Sequence, residues 1–298
     1  MPGCPACAAL DVDVVHALAA WGAFRVACCR RCGLVRTEPQ PDRPALLAAY
    51  RERQKSPAVI ARVRRRFARA FAARAARGLS GPGGRALDVG CGDGSVLAAL
   101  VARGFTGLGT ELPGRGCGSP APGIRIVETE DVTELRLPAA SCRLVVLRHA
   151  LEHLRDPAAA LREVRRVLEP SGRLVVAVPN LASWQARWTG PRWVHLDVPR
   201  HLFHFTPETL GRLVRETGFA VERVTQLSFE HGSYGWLCAA IRGLADTRRP
   251  PTLAGAFALS PLGAFLSLAE ALAGRGAVIE LAARPDEGGR APASAHVS

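Results

Sequence analysis

The chain predicts an α/β domain: a seven-stranded, mostly parallel sheet with helices on both faces. Three observations predict it. From residue 85 onward, short apolar runs alternate with stretches of helical periodicity, the pattern of parallel strands joined by right-handed helical crossovers. Residues 144–147 and 173–180 are almost continuously apolar, as strands buried on both faces must be. A glycine-rich turn, Gly90-Cys91-Gly92-Asp93-Gly94, joins the first strand to a helix, at the sheet edge where such folds bind ligands.

Each element can be justified in order. Ala86, Leu87 and Val89 lead into the turn as a strand, and residues 95–103 continue as a helix closed by Gly104. Alternate glycines let the backbone bend sharply and let a ligand approach it. Free N–H groups at the turn suit a carboxylate, and Asp88 suits an ammonium. Residues 105–111 read as the second strand and end in Glu111. That acid lies 23 residues after Asp88, near the spacing at which a carboxylate meets ribose hydroxyls. Residues 124–127 alternate as the third strand and precede Glu130, Asp131 and Val132. The fourth, 144–147, runs into Arg148-His149-Ala150-Leu151-Glu152-His153. Asp156 then caps a helix with Pro157 in its first turn, and Leu161, Val164, Val167 and Leu168 share its inner face. Glu169-Pro170-Ser171-Gly172 stops it before the fifth strand, 173–180. Residues 220–224 and 277–283 read as the sixth and seventh strands.

Asp88 through Gly94 resembles motif I of the class I S-adenosylmethionine-dependent methyltransferases, which are Rossmann-like. Leu151-Glu152-His153, Asp156-Pro157, residues 167–172, Pro179-Asn180 and residues 193–210 resemble the ubiquinone-biosynthesis-like, small-molecule branch (methyltransferase domain 11, 12 or 23 type). The resemblance covers roughly residues 85 to 230 and the final strand. It implies an antiparallel pairing of the last two strands and S-adenosyl-L-methionine as cofactor. It assigns cofactor contacts to Asp88, Gly90, Cys91, Gly92, Gly94 and Glu111, the adenine to Asp131 and Val132 with Glu130 as competitor, and a place beside the cofactor to Arg148. It implies O- or C-methylation of a small acceptor such as a sugar, polyketide or quinone. Three positions depart from the family pattern. The Pro- and Gly-rich stretch 113–123 replaces a helix that walls the adenine pocket. Arg143 stands where the family carries aspartate, and Arg148 where it carries an apolar or small residue.

Methyl transfer from a sulfonium needs the nucleophile, methyl and sulfur in line, and an oxygen or carbon acceptor also needs a base. Histidine suits that task near neutral pH. His149 and His153 follow the fourth strand, and His195, His201 and His204 follow the fifth, all at the ligand-binding edge. His201 or His204 is favoured as base, with His153 as positioner or alternative base. His149-x-x-Glu152-His153 also spaces three ligands at i, i+3 and i+4 for a divalent metal, resembling an E-x-x-E-H pattern in some relatives. Trp184, Trp188, Trp193, Phe203 and Phe205 predict an aromatic lid.

A second motif stands at the N-terminus. Cys4-Pro5-Ala6-Cys7 and Cys29-Arg30-Arg31-Cys32 are paired C-x-x-C knuckles separated by 21 residues. They predict a structural zinc ribbon with Cys4, Cys7, Cys29 and Cys32 as ligands and Cys28 as a spare thiol. So small a unit needs a metal to fold. A similar ribbon precedes the catalytic domain in some sugar C-methyltransferases. With no secretory signal ahead of Cys4, the expectation is a reducing, cytoplasmic location. Residues 59–74 predict an amphipathic helix with arginines on its outer faces.

Net charge is +13 and sequence pI about 10.5, but Lys55 is the sole lysine. Arginine-rich surfaces of this kind accompany a GC-rich genome as readily as a polyanionic partner. An RNA methyltransferase is the first alternative. Against a nucleic-acid partner, Arg148-His149-Ala150-Leu151 stands where base-methylating enzymes carry Asn/Asp-Pro-Pro-aromatic. A non-catalytic scaffold of the same fold is the second. The expected boundaries are a zinc ribbon at 1–40, a basic helical linker at 41–83, the catalytic domain at 84–284 and a disordered tail at 285–298. Within the catalytic domain lie the lid, 183–210, and a hydrophobic helical insertion, 228–274. The uncharged run 250–269 is expected to be buried, for instance as a helical hairpin packed over the substrate site, with a dimer surface or peripheral membrane contact as the alternatives; Pro261 breaks it too early for a straight span.

Overall fold

The computed structural model describes residues 4, 7, 9–17, 22–51, 58–79, 83–114, 122–240, 261–286 and 288. Three strands open the chain: β1 (Val12–Ala17), β2 (Arg25–Cys29) and β3 (Val35–Glu38). Helices α1 (Arg43–Arg51) and α2 (Ala58–Ala75) follow. The main domain begins β4 (Arg85–Val89), α3 (Ser95–Val101), β5 (Thr106–Glu111), β6 (Ile124–Glu128), β7 (Cys142–Arg148), α4 (Pro157–Val167) and β8 (Leu168–Pro179). It continues α5 (Trp184–Thr189), β9 (Phe203–His204), α6 (Pro207–Glu216), β10 (Phe219–Thr225), α7 (Phe229–Ala240), α8 (Pro261–Leu272) and β11 (Val278–Pro285).

The larger sheet has seven strands in the order β10-β11-β8-β7-β4-β5-β6. From β6 to β8 every pairing is parallel, and β11 runs antiparallel to both β8 and β10. Strand order reverses at β4, with β5 on one side and β7 on the other. A crevice opens at the carboxyl ends of strands flanking such a reversal. The glycine turn and the segment after β7 both emerge there.

Alternation along the central strands divides the core between the two faces. Val145, Leu147, Leu174, Val176 and Val178 face α4 and α6, whose Leu161, Val164, Leu210 and Val214 cover them. Leu144, Val146, Val175 and Ala177 face the other way, under Phe71 and Ala72 of α2 and Val96 and Leu100 of α3. The predicted basic helix is thus α2, a core-covering helix with small residues at its contact. Asp156 caps α4 by accepting from the Ala159 N–H at 2.8 Å, with Pro157 in the first turn. The helix ends at Val167, and Leu168, expected on its inner face, instead begins β8 as a buried residue.

A smaller antiparallel sheet has the order β1-β2-β3-β9. Its fourth strand comes from the far side of the sequence. Val35 and Arg36 pair with His204 and Phe203. Cys4, Cys29, Cys32 and Leu34 share a hydrophobic cluster with Leu202, Phe203 and Phe205. The N-terminal sheet, read from sequence as a separate ribbon, is therefore stitched into the 183–210 segment of the main domain. Of the predicted insertion, α7 and α8 lie among the described residues and 241–260 outside them. The missing adenine-wall helix falls largely at 115–121, and the tail beyond 288; both lie outside them too.

Candidate active site

The glycine turn is held by the end of β5. Gly90, Gly92 and Gly94 have φ of 70°, 58° and 71°, left-handed values that explain a glycine at each position. The Gly90 N–H donates to Thr110 Oγ1 at 3.1 Å, and the Cys91 N–H to the Thr110 carbonyl at 2.8 Å. Glu111 closes the loop: its carboxylate accepts from the Gly92 N–H at 2.8 Å and from the Leu112 N–H at 2.9 Å. A Cβ on Gly90 would stand 3.0 Å from the Ala150 Cβ, at a backbone conformation that costs an L-residue on the order of 1–2 kcal/mol. Gly90→Val is therefore expected to push β4 away from the segment after β7. It should lower the melting temperature and abolish nucleotide-type ligand binding, measured by thermal shift with and without ligand.

Asp88 lies buried beneath the turn. Burial raises its carboxyl to about 7, with Arg148 acting in the opposite direction and Glu111 adding to the rise. Arg148, at the end of β7, lies over the Phe71 ring at 5.5 Å and donates to Glu230 of α7. Arg64 of α2 reaches the same Glu230 at 3.4 Å. One carboxylate thus ties α2, β7 and α7 together over the crevice. Asp131 and Val132 lie beyond β6. Asp131 accepts from the Thr133 N–H at 2.8 Å, while Val132 is buried. Glu130 pairs with Arg43 at 2.8 Å.

The histidines form two neighbouring groups. In the first, His149 follows β7 at φ 54°, a strained value for a residue with a side chain. Its ring lies 4.1 Å from that of His231 on α7, and His195 lies 5.9 Å beyond. In the second, Glu152, His153 and His201 bring ligand atoms within 4.8 Å of one another. Tyr50 of α1 meets the His153 ring edge-on at 5.7 Å, and His201 meets its other side at 4.7 Å. Glu152 is fully buried, and among the described residues neither of its oxygens has a hydrogen-bond partner on another residue. His149 Nδ1 comes within 3.4 Å of Glu152 Oε1, linking the groups. Burial raises the Glu152 carboxyl to about 7. Only a three-residue turn covers Leu151–His153, so His149 is not on a helical face with Glu152 and His153. The third member of the compact trio is His201.

His201 and His204 are turned inward. His201 Nδ1 is 2.9 Å from the His195 carbonyl, and His204 Nε2 is 3.1 Å from Thr37 Oγ1 in β3. The Thr37 hydroxyl donates to the His201 carbonyl at 2.6 Å, which leaves its oxygen to accept from His204. Burial holds His204 down at about 3 and His201 well below the usual histidine range. Both rings are therefore neutral at pH 7. His153 is half-buried, its Nδ1 2.9 Å from the Arg200 carbonyl.

The four predicted zinc ligands converge. Cys4 Sγ lies 3.4 Å from Cys32 Sγ, and Cys7 Sγ 3.5 Å from Cys29 Sγ, with all four within 4.8 Å. Four thiolates around a tetrahedral zinc stand about 3.8 Å apart, given Zn–S of about 2.3 Å. The spacing fits that ion and is far too long for disulfides. Cys28 turns its Sγ to the Cys29 carbonyl, outside the cluster.

Sequence reasoning located the glycine turn, the acids and the histidine-bearing segments. It missed Tyr50, Thr37, Arg64, Glu230, His231 and Tyr234, the last with its ring 6.1 Å from that of His195. Glu230, His231 and Tyr234 sit at i, i+1 and i+4 in α7, a signal present in the sequence but hidden inside an apolar insertion.

Residues 59–224 match the family described as Methyltransferase domain (Methyltransf_23). A Mycobacterium tuberculosis protein named a probable S-adenosylmethionine-dependent methyltransferase is 29% identical over 183 residues, covering 56% of this chain and 64% of that protein. A ubiquinone biosynthesis O-methyltransferase of Xanthomonas oryzae pv. oryzae is 27% identical over 163 residues, covering 50% of this chain and 67% of that protein. The chain spans about half to two thirds of the length of the curated relatives it matches. Among solved structures, a chain from the complex between the Haloferax volcanii Trm112 methyltransferase activator and a methyltransferase aligns with a TM-score of 0.53. That match has 15% identity over 82% of this chain and 96% of the other, a likeness of fold.

Proposed function

The chain belongs to the methyltransferase-domain family, and from that premise we propose that it transfers the methyl group of S-adenosyl-L-methionine to an oxygen or carbon of a small acceptor. The supporting observation is the crevice at the strand reversal. It carries a left-handed glycine turn, the Glu111 carboxylate and the buried Asp88 on one side. On the other side stand histidine rings and the buried Glu152. Backbone N–H groups of the turn would receive the methionine carboxylate and Asp88 the ammonium. Gly90, Cys91, Gly92 and Gly94 would line the chain of the cofactor, Glu111 the ribose, and Asp131 and Val132 the adenine. Arg148, engaged by Glu230, would sit beside the cofactor as a positioning group.

Among the three candidate bases, His153 takes the proton in this reading, because it is the half-buried ring. His201 backs it, and His204 anchors the lid strand to the ribbon. The acceptor is a sugar, polyketide, quinone or similar metabolite; the homologous ubiquinone biosynthesis enzyme supports that class. The test is calorimetric titration with S-adenosyl-L-methionine, followed by a methyl-transfer screen against nucleotide sugars, polyphenols and RNA. Binding with transfer to a small molecule is the expected result. Transfer to RNA alone would favour the nucleic-acid alternative, and absence of binding at millimolar cofactor the scaffold.

A second reading rests on the unsatisfied Glu152 carboxylate. Glu152, His153 and His201 would hold a divalent cation, which when bound would orient and acidify an acceptor oxygen. Titration calorimetry of the intact protein with magnesium, manganese and zinc separates the two readings. Binding that Glu152→Gln removes, with the zinc content of the cysteine cluster unchanged, supports the cation. A heat signal that is the same in both proteins rejects it.

A further inference from the structure

Helix α8 is amphipathic in the reverse sense. Its inward residues are Gly263, Ser267 and Glu270. Glu270 accepts from the Gln185 amide of α5 at 3.0 Å and from the Ala277 N–H at 3.1 Å, and Ser267 reaches Ser233 of α7 at 3.3 Å. Its outward residues are apolar: Leu262 is 55% exposed, Phe265 65% and Leu272 80%, with Leu268 between them. An ordinary surface helix turns those side chains to the core. Burial within the described residues does not account for this stripe.

Neighbouring elements extend it. The Gln185–Glu270 bond locks α5 beside α8, and the Trp184 N–H donates to the Arg275 carbonyl at 3.1 Å. Trp184 is exposed on α5, and Trp188 is 67% exposed. On and just past the same helices, Arg187 of α5, Arg192 three residues beyond α5 and Arg275 three residues beyond α8 are all exposed. No exposed acid lies on α5, on α8 or between α8 and β11. No helix among the described residues is long and apolar enough to cross a membrane.

The geometry points to this α5–α8 face as a docking surface for an anionic lipid bilayer. Tryptophan, leucine and phenylalanine on one face, rimmed by arginine, form the chemistry of an in-plane interfacial contact. Charge complementarity selects the occupant. A second copy meeting this one through the same patch would set each arginine rim against its twin. A negatively charged headgroup layer neutralises it.

The test uses the full chain with phosphatidylcholine vesicles, with and without phosphatidylglycerol. Co-sedimentation with the phosphatidylglycerol vesicles is expected, at least about tenfold weaker for Leu262→Ser combined with Phe265→Ser. Arg187→Gln combined with Arg275→Gln should remove the preference for anionic lipid. Vesicles should also shift tryptophan emission to the blue, by less in Trp188→Phe. Failure to sediment with anionic vesicles overturns the proposal, as does binding that the serine variant leaves unchanged. Sedimentation velocity and thermal melts add two overturning results. A dimer that the serine variant splits would make a second copy the occupant. A serine variant that loses melting temperature but keeps its lipid affinity would mean that this chain covers the face itself.

Discussion

Replacing Asp88 with asparagine is expected to weaken S-adenosyl-L-methionine binding about thirty- to a hundredfold, the worth of a buried charge-assisted contact, and to remove its rise with pH. Burial sets the carboxyl at about 7 in the free protein. A ligand ammonium favours the ionised form, so binding expels a proton wherever Asp88 holds one. The affinity of the natural chain should therefore rise roughly tenfold between about pH 5.5 and pH 7. It should turn over above about pH 8, as the α-amino group of the ligand loses its own proton.

The same shift fixes a stability trend. The folded-state pKa is raised above the ordinary aspartate value of 3.8. Its contribution is thus fully present below pH 3.8 and lost as pH rises to about 7. At neutral pH the ligand-free natural chain carries that cost and Asp88→Asn does not. The variant should melt higher without ligand and gain less from it. Calorimetric titrations across pH and thermal melts check both halves. Parallel pH slopes for the two proteins would remove Asp88 from the cofactor's ammonium.

Cys29→Ser is expected to abolish the zinc binding we propose for the four-cysteine cluster, to unfold the N-terminal sheet, and with it to loosen the segment 201–204. Structural zinc sites in small units supply on the order of 10 kcal/mol of folding free energy, so a four-thiolate site reduced to three leaves the ribbon without its main support. The loss should not stop at residue 38. Val35 and Arg36 are the strand partners of His204 and Phe203, and Thr37 hydrogen-bonds to His201 and His204. Amide exchange should therefore accelerate at 201–204 as well as at 25–38, while β4, β7 and β8 stay protected. Zinc content by elemental analysis and exchange by mass spectrometry are the measurements. Zinc loss with unchanged protection at 201–204 would mean that packing alone holds this region, and full zinc content would remove Cys29 from the ligand set.

Much of the main domain was legible because its rules are local. The apolar runs at 144–147 and 173–180 have no polar face to offer water, so they had to be central strands. Asp156-Pro157 marks a helix start by the geometry of its first turn. The glycines at 90, 92 and 94 are required by three left-handed φ values in one loop. The paired knuckles marked four cysteines by spacing, and the four sulfurs meet. Other features follow from partners distant in sequence. Thr37 and His201 are 164 positions apart and meet only because β3 and β9 pair. Glu230 looked like one acid in an apolar insertion, yet it bridges Arg64 and Arg148 over the crevice. His149 carried helical spacing to Glu152 and His153, but the backbone leaves β7 in a left-handed turn that puts His201 in the trio instead.

By itself, then, the sequence determined the sheet, the glycine turn with its acids, the family and the four cysteines that cluster. Each depends on residue type at short range: pleat alternation, φ preference, and the fixed reach of a C-x-x-C loop. The tertiary structure alone decided which histidines face the crevice, that the ribbon completes its sheet with a strand of the lid, and that α8 turns its apolar side outward. Those outcomes depend on which distant surfaces pack together, and packing is a property of the assembled chain that periodicity does not encode.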